Sequence, residues 1–252
     1  MFNINKNSSV EQLQLLLKST INKSLDYMPK SFNDEQLKAF DVFKKRIYLE
    51  EIIEKSVSFN KSLNFETENK NLYIVKNVEE LVNIFKLRSE IYTRLNYNNE
   101  FPEIIEGLNF DKYDVNSAII YNKTDKLITG TCRLIFDSEK KLPIEEKLDL
   151  DYIRDDFNAI AEVSRLTIKH QKEGLSLDFK NLTQGIYAIL KQNNQDATIS
   201  VISKEHFKLY SKFGGFNIEK ELNSYGHLNK TFVITSWDIS KISKFFQKAF
   251  LK

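Results

Sequence analysis

The chain has 252 residues, with 37 Lys and Arg against 35 Asp and Glu, for a formal net charge of +2. Hydrophobic residues at 41% and aromatics at 12% supply enough apolar area for a folded chain, and a charge balance this close to neutral gives no reason to expect nucleic acid as a partner. A single cysteine excludes both a disulfide framework and a Cys-rich zinc site.

The first residues carry no apolar run of the kind a signal peptide needs, and no window approaches a membrane span, so a cytoplasmic chain is expected. Residues from Ser9 to about Asn60 read as helical, with a break at Pro29 and Asn33. The stretch from Asp34 resumes with Leu37, Phe40, Phe43, Ile47 and Ile52 close to a 3.6-residue period. Leu72 to Val75 is a short strand, and Asn77 to about Leu95 is a helix. Phe101 to Tyr113 reads as a loop. Strands follow at Ser117–Tyr121, Lys126–Phe136 and Ile160–Ile168. Then come a helix at Leu177–Gln192, a strand at Ala197–Ser203, and a helix from Lys204 that stops at Gly214-Gly215. Phe216–Leu222 and Thr231–Trp237 pair as strands, and Ile239–Phe250 is a terminal helix.

This order predicts a mixed α/β domain over residues 71–252, with residues 1–70 as a helical extension packed on it. The consecutive strands between 117 and 168 are expected to lie antiparallel. The strand–helix–strand unit at 160–203 is expected to be a parallel pair, so the sheet has a point where strands part and a ligand can enter.

Four blocks carry the chemistry: Leu87-Arg-Ser-Glu-Ile-Tyr-Thr-Arg-Leu-Asn-Tyr97, Phe110-Asp-Lys-Tyr-Asp114, Gly130-Thr-Cys-Arg-Leu134 and Glu162-Val-Ser-Arg-Leu166. Arg88 and Tyr92 share a helix face. In the strand, alternation puts Glu162 and Ser164 on one face and Arg165 on the other. A glutamate among Ile160, Ala161, Val163 and Leu166 is costly to bury alone. It is either paired with an arginine such as Arg133 or kept for proton transfer.

The ordered set Arg88, Tyr92, Tyr97, Asp111, Asp114, Arg133, Glu162, Ser164 and Arg165 resembles that of the bacterial autoinducer synthases, which make acyl-homoserine lactones. It is also similar to the long-chain N-acyl amino acid synthases. Both belong to the GNAT-like acyltransferases, which implies a mixed, mostly antiparallel sheet flanked by helices. The likeness runs from about Leu72 to Trp237. It implies that the Arg and Asp side chains form a charge cluster at the acceptor pocket and that Glu162 is the base. Autoinducer synthases usually have Trp where Tyr97 stands and Glu-Ser-Ser-Arg-Phe where this chain has Glu162-Val-Ser-Arg-Leu166. That form, with Leu142-Pro-Ile-Glu145, looks more like the N-acyl amino acid synthases.

Gln171-Lys-Glu-Gly-Leu-Ser176 resembles the superfamily's donor loop, which implicates Gln171, Gly174 and Ser176 in holding the donor. Leu209-Tyr-Ser-Lys-Phe-Gly-Gly-Phe216 is similar to the segment whose Tyr protonates the leaving thiolate, here Tyr210; a packed core Tyr is the alternative. Together these imply an N-acyltransferase that moves a long-chain acyl group to the amine of an amino acid or related small amine. The donor is an acyl carrier protein thioester or acyl-coenzyme A, with no permanently bound cofactor and no metal. Lys169, Lys172, Lys204, Lys208 and Lys212 offer a face for an acidic carrier, or only a solvated lysine-rich face. The alternatives are an autoinducer synthase using S-adenosylmethionine and a non-catalytic acyl-carrier or lipid-binding module. Membrane contact is not indicated. Cys132 is expected as a small buried residue, and His170, His206 and His227 lack metal-ligand spacing.

Overall fold

The computed structural model of the protein describes Ser9, residues 32–169 and residues 176–251. The helix read from Ser9 onward lies outside the described residues, as do Gln171 and Gly174 of the expected donor loop, together with His170 and Lys172. The chain divides into two units, Met1–Ile53 and Glu54–Lys252.

Helix α1 (Asp34–Ser62) begins at the break read at Asn33. Asn33 Oδ1 accepts from the Gln36 N–H at 2.9 Å, and Gln36 Oε1 accepts from the Asn33 N–H at 3.0 Å. This reciprocal cap satisfies donors that the first helical turn leaves open. In the first unit, the Phe32 and Phe40 rings meet edge-on at 6.2 Å.

The second unit holds a seven-stranded sheet: β1 (Leu72–Ile74), β2 (Ser117–Thr124), β3 (Leu127–Phe136), β4 (Ile160–Ile168), β5 (Ala197–Ser203), β6 (Phe216–Leu222) and β7 (Phe232–Asp238). Their order is β1-β2-β3-β4-β5-β7-β6. Every neighbouring pair is antiparallel except β4 and β5. Helices α2 (Val78–Arg94), α3 (Asp151–Asp156), α4 (Leu177–Gln192), α5 (Phe207–Tyr210) and α6 (Lys244–Phe250) complete it. The parallel pair needs a crossover, and α4 supplies it. Leu134 and Ile135, adjacent on β3, join different cores. Leu134 packs with Leu182 and Ile189 of α4 and Phe246 of α6, whereas Ile135 packs with Ile144, Ile153 and Ile199. The sheet is thus covered on both faces, as its unbroken apolar strands require.

Two irregularities build the site. First, β4 and β5 pair only from Ile160↔Ala197 to Val163↔Ser200, and beyond that they part. Second, β4 carries a bulge. Arg133 faces Ser164 and Thr131 faces Thr167, so Arg165 and Leu166 together stand opposite Cys132. Arg165 sits at φ +53°, in the left-handed region. The extra residue breaks the alternation expected from the sequence. Arg165 does not take the face away from Ser164; both side chains reach the same charged cluster.

Other departures are local. The segment after β5 is not one helix but two short 3-10 turns either side of α5. It ends at Gly214 and Gly215, both at positive φ and both pressed against the backbone of residues 238–243, where a Cβ would collide. The terminal helix starts later than read. A 3-10 turn at Ile239–Lys241 comes first, and Ser243 caps α6 by accepting the Phe246 N–H at 3.1 Å. The 3-10 turn Pro143–Glu146 and α3 were not anticipated. No described helix is long and apolar enough to cross a membrane.

Candidate active site

The spacing of Asp111 and Asp114 has a local cause. They are the cap and third residues of a 3-10 turn, Lys112–Asn116. Asp111 Oδ1 accepts the Tyr113 N–H at 2.9 Å, and Asp114 Oδ2 accepts the Asp111 N–H at 2.9 Å. The turn therefore holds both carboxylates rigidly before either meets an arginine.

Three arginines then arrive from three elements. Arg88 of α2 donates from Nη1 to Asp114 Oδ1 at 2.8 Å. Arg133 of β3 donates from Nη1 to Asp111 Oδ1 at 2.6 Å and lies 3.2 Å from Asp114 Oδ1, while its Nε donates to Ser164 Oγ at 3.0 Å. Arg165 of β4 donates from Nη2 to Asp111 Oδ2 at 2.8 Å. The result is one chain of charge: Arg88, Asp114, Arg133, Asp111, Arg165. The Arg88 and Asp114 side chains are 0% exposed, so their desolvation is offset only because each has its partner. Burial raises the Asp111 pKa, but the Arg133 and Arg165 guanidiniums outweigh it and hold this carboxyl well below the usual range.

Aromatic rings back the cluster. The Arg165 guanidinium lies 4.3 Å from the Phe101 ring centre and 5.4 Å from that of Tyr92. Tyr92 meets Phe101 at 4.9 Å, and Tyr97 meets Phe101 at 6.5 Å.

Glu162 does not take the ion pair its strand offered. Among the described residues it makes no ion pair with Arg133, which is engaged by Asp111 and Asp114. It is 5% exposed, and its Oε2 accepts the Ile144 N–H at 2.9 Å from the Pro143–Glu146 turn. Burial pushes its pKa up to about 7, against the lowering effects of the Ile144 N–H and of Arg133.

Tyr210 packs edge-on against Phe179 at 5.8 Å and lies 5.5 Å from both Phe213 and Phe216. Burial drives its pKa far above that of a free phenol, so the hydroxyl stays protonated. Ser176 caps α4, its Oγ accepting the Phe179 N–H at 3.1 Å. Cys132 is fully buried and its thiol is pushed up to about 12, which leaves it inert at neutral pH.

A cavity of about 520 Å³ opens where β4 and β5 part. Its walls include residues 162–168 of β4 and residues 198 and 200–203 of β5. Two groups of side chains stand out in the rest of the lining. One is charged and aromatic: Tyr92, Tyr97, Phe101, Asp111, Arg133 and Arg165. The other is apolar: Phe179, Ile186, Phe213, Phe216 and Trp237, with Tyr210 among them. The cavity thus gathers every expected site residue among those described except Arg88 and Asp114, which stand behind it, and Ser176. It also gathers residues the sequence did not single out. Tyr225, between β6 and β7, lines it, and burial together with Glu162 pushes its phenol up to about 12. Glu100 lines it and accepts the His227 N–H at 2.9 Å, tying the β6–β7 loop to the segment after α2. The signal for these was slight: a Tyr-Gly pair in a polar loop. Among the described residues no group of His, Cys, Asp and Glu is placed to hold a metal.

The family model of the N-acyl amino acid synthase FeeM matches residues 83–238, more than half of the chain and all four motif blocks. The chain belongs to this family. It is an N-acyltransferase, acting by acyl transfer to an amine, and a purely binding module is thereby set aside. Solved structures agree on the fold. The chain is similar to FeeM, an N-acyl amino acid synthase from uncultured soil microbes, with TM-score 0.52 and 16% identity over 67% of this chain and 90% of that one. It is likewise similar to the AHL synthase LasI, with TM-score 0.52 and 16% identity over 71% of this chain and 93% of that one. No curated protein matches the sequence.

Proposed function

We propose that the protein transfers a long-chain acyl group from an acyl carrier protein or coenzyme A thioester to the amine of an amino acid or related small amine. The observation that carries this reading is Glu162 itself: a buried carboxyl in the wall of a cavity that opens between parting strands, with no cation paired to it among the described residues.

The chemistry follows from what each group can do. The α-amino terminus of a peptide has a pKa of roughly 8 and the amine of a free amino acid lies higher, so the acceptor arrives protonated and a carboxylate poised near 7 is placed to remove its proton, directly or through a water. The freed lone pair attacks the thioester carbonyl carbon. The oxyanion of the tetrahedral intermediate meets a backbone amide of β4 beyond Val163, where pairing to β5 has ended. The carbonyl re-forms as the C–S bond breaks, and Tyr210, held protonated, gives its proton to the thiolate and takes up the second proton that the new amide nitrogen sheds. No covalent enzyme intermediate is needed. The apolar side chains beyond Leu166 give an acyl chain a dry wall, and Gln171, Gly174 and the capped start of α4 at Ser176 are the donor-holding segment. Tyr92, Tyr97, Ser164 and the Arg–Asp cluster shape the acceptor side.

Of the lysines expected to greet an acidic carrier, Lys169 pairs with Glu90 at 3.4 Å and Lys204 with Glu221 at 2.7 Å. Lys208 and Lys212 are exposed and support the carrier protein as donor. Mass spectrometry of lipid extracts from expressing cells tests the reading. Acyl amino acids are the expected product; acyl-homoserine lactones alone would make the protein an autoinducer synthase using S-adenosylmethionine.

A further inference from the structure

Glu162 does not choose its nucleophile. A carboxylate that takes a proton from an amine serves an attacking water in the same way. The water oxygen would bond to the thioester carbon, the C–S bond would break, and the acyl group would leave as a carboxylic acid beside the free thiol. The amine wins only where bulk water is kept out, so the walls of the cavity have to make the choice.

On the charged side of the cavity one wall is a turn. The β6–β7 ladder ends at Leu222↔Phe232, and residues 223–231 run beyond it. At 225–228 the chain turns back, with Tyr225 and Leu228 bonded to each other through their backbones at 3.1 and 2.9 Å. Both side chains line the cavity, whereas Gly226 and His227 are exposed. The turn thus has the cavity on one side and solvent on the other. The Tyr225 ring lies 4.8 Å from the Lys147 ammonium, and Glu162 and Arg165 both bear on its phenol. Across from the turn stands Glu100. Its own N–H and that of Phe101 both bond the Tyr97 carbonyl, at 3.0 and 2.9 Å, so it sits on a fixed base. Its Oε2 reaches over and accepts the His227 N–H at 2.9 Å. The fit depends on Gly226, at φ +55°: a Cβ there would overlap the Glu100 carboxylate.

We propose that Glu100 is a positioning residue of the reaction: by latching the 225–228 turn across the cavity it keeps water from the thioester, so that the amine and not water receives the acyl group. This rests on the acyl transfer proposed above and adds the means by which hydrolysis is avoided. Glu100 acts through the turn and not on the reacting atoms.

The full chain is incubated with a dodecanoyl thioester of carrier protein or coenzyme A and a mixture of the common amino acids, and mass spectrometry counts both the amide and free dodecanoic acid. The wild type is expected to give mostly amide. Glu100→Ala removes the latch from one side. Gly226→Ala removes it from the other, because the carboxylate is the free end of a flexible side chain and gives way to the new Cβ. A hydrogen bond to a charged group shifts an open-to-closed ratio by roughly tenfold, so each variant is expected to raise the acid-to-amide ratio by about that factor. Glu100→Gln keeps an oxygen for the His227 N–H and is expected to return the ratio to within about threefold of the wild type. The ratio is read within each reaction, so a variant that folds in lower yield still reports it. An unchanged ratio in both alanine variants would overturn the inference, even if kcat falls, and would leave acyl transfer intact. So would a rise in Glu100→Gln equal to that in Glu100→Ala, which would place the effect on the charge and not on the latch. Failure of the wild type to form amide from either donor would overturn the proposed function, and the inference with it.

Discussion

Asp111 and Glu162 are both carboxyl groups set in the wall of one cavity, and burial acts on both in the same direction. Asp111 meets two guanidiniums at 2.6 and 2.8 Å and stays ionised far below neutral pH. Glu162 meets one backbone N–H and is pushed up to about 7. The difference lies in where Arg133 points. Its hydrogen bonds go to the aspartates and Ser164, so Glu162 feels it only at a distance. The paired region is a scaffold whose charge is locked; the unpaired one is where a proton can move at physiological pH.

The largest effect should come from breaking the paired region. Asp114→Ala leaves Arg88 and Arg133 buried without that counter-charge, and a loss of about 3–5 kcal/mol is expected in urea unfolding. A loss below about 1 kcal/mol would mean that the cluster is not the scaffold described.

Glu162→Gln should do the opposite. A fall in kcat of roughly 10²–10⁴ is expected, with no loss of stability at pH 8. The sign of the stability effect follows from the raised pKa. Protonated Glu162 is favoured in the fold, so its contribution is full below pH 4.5, falls as pH rises to about 7 and is flat above that. The wild type should therefore lose about 3 kcal/mol relative to Glu162→Gln across that window. Parallel stability curves for the two proteins would contradict it.

Smaller effects sharpen the donor side. Tyr210→Phe keeps the ring contacts and removes the proton donor. Because a thiolate is a good leaving group, a fall in kcat of about tenfold is expected from steady-state kinetics. An unchanged kcat would leave Tyr210 as a packing residue. Ser176→Ala removes the α4 cap and should cost about 1 kcal/mol in thermal or urea unfolding.

Much of this architecture was legible in the residues. The apolar run from Ile160 to Ile168 and the helix from Leu177 to Gln192 have the bounds read from them, because polar residues flank each in the sequence. Asn77 marked the start of α2 through its side-chain cap on Glu80. The charge cluster was visible as an ordered set of arginines and aspartates, though not its cause, the cap built by Asp111 and Asp114. What stayed hidden depends on register or on distance. The bulge at Arg165 leaves no mark in a period of two. The turn at Pro143 is too short for a periodicity signal, yet it supplies the N–H that Glu162 accepts. Tyr225 and Glu100 come to the cavity through the β6–β7 loop, whose His227 bonds Glu100 across 127 positions of chain.

The central claim is that a buried carboxyl standing outside the Arg–Asp cluster does the proton transfer, and the pH dependence of kcat in the wild type and in Glu162→Gln tests it most directly. The wild type should lose activity about tenfold per pH unit below an apparent pKa near 7, and the variant should be slow and lack that limb. A variant that keeps the wild-type rate and the same limb would contradict the account.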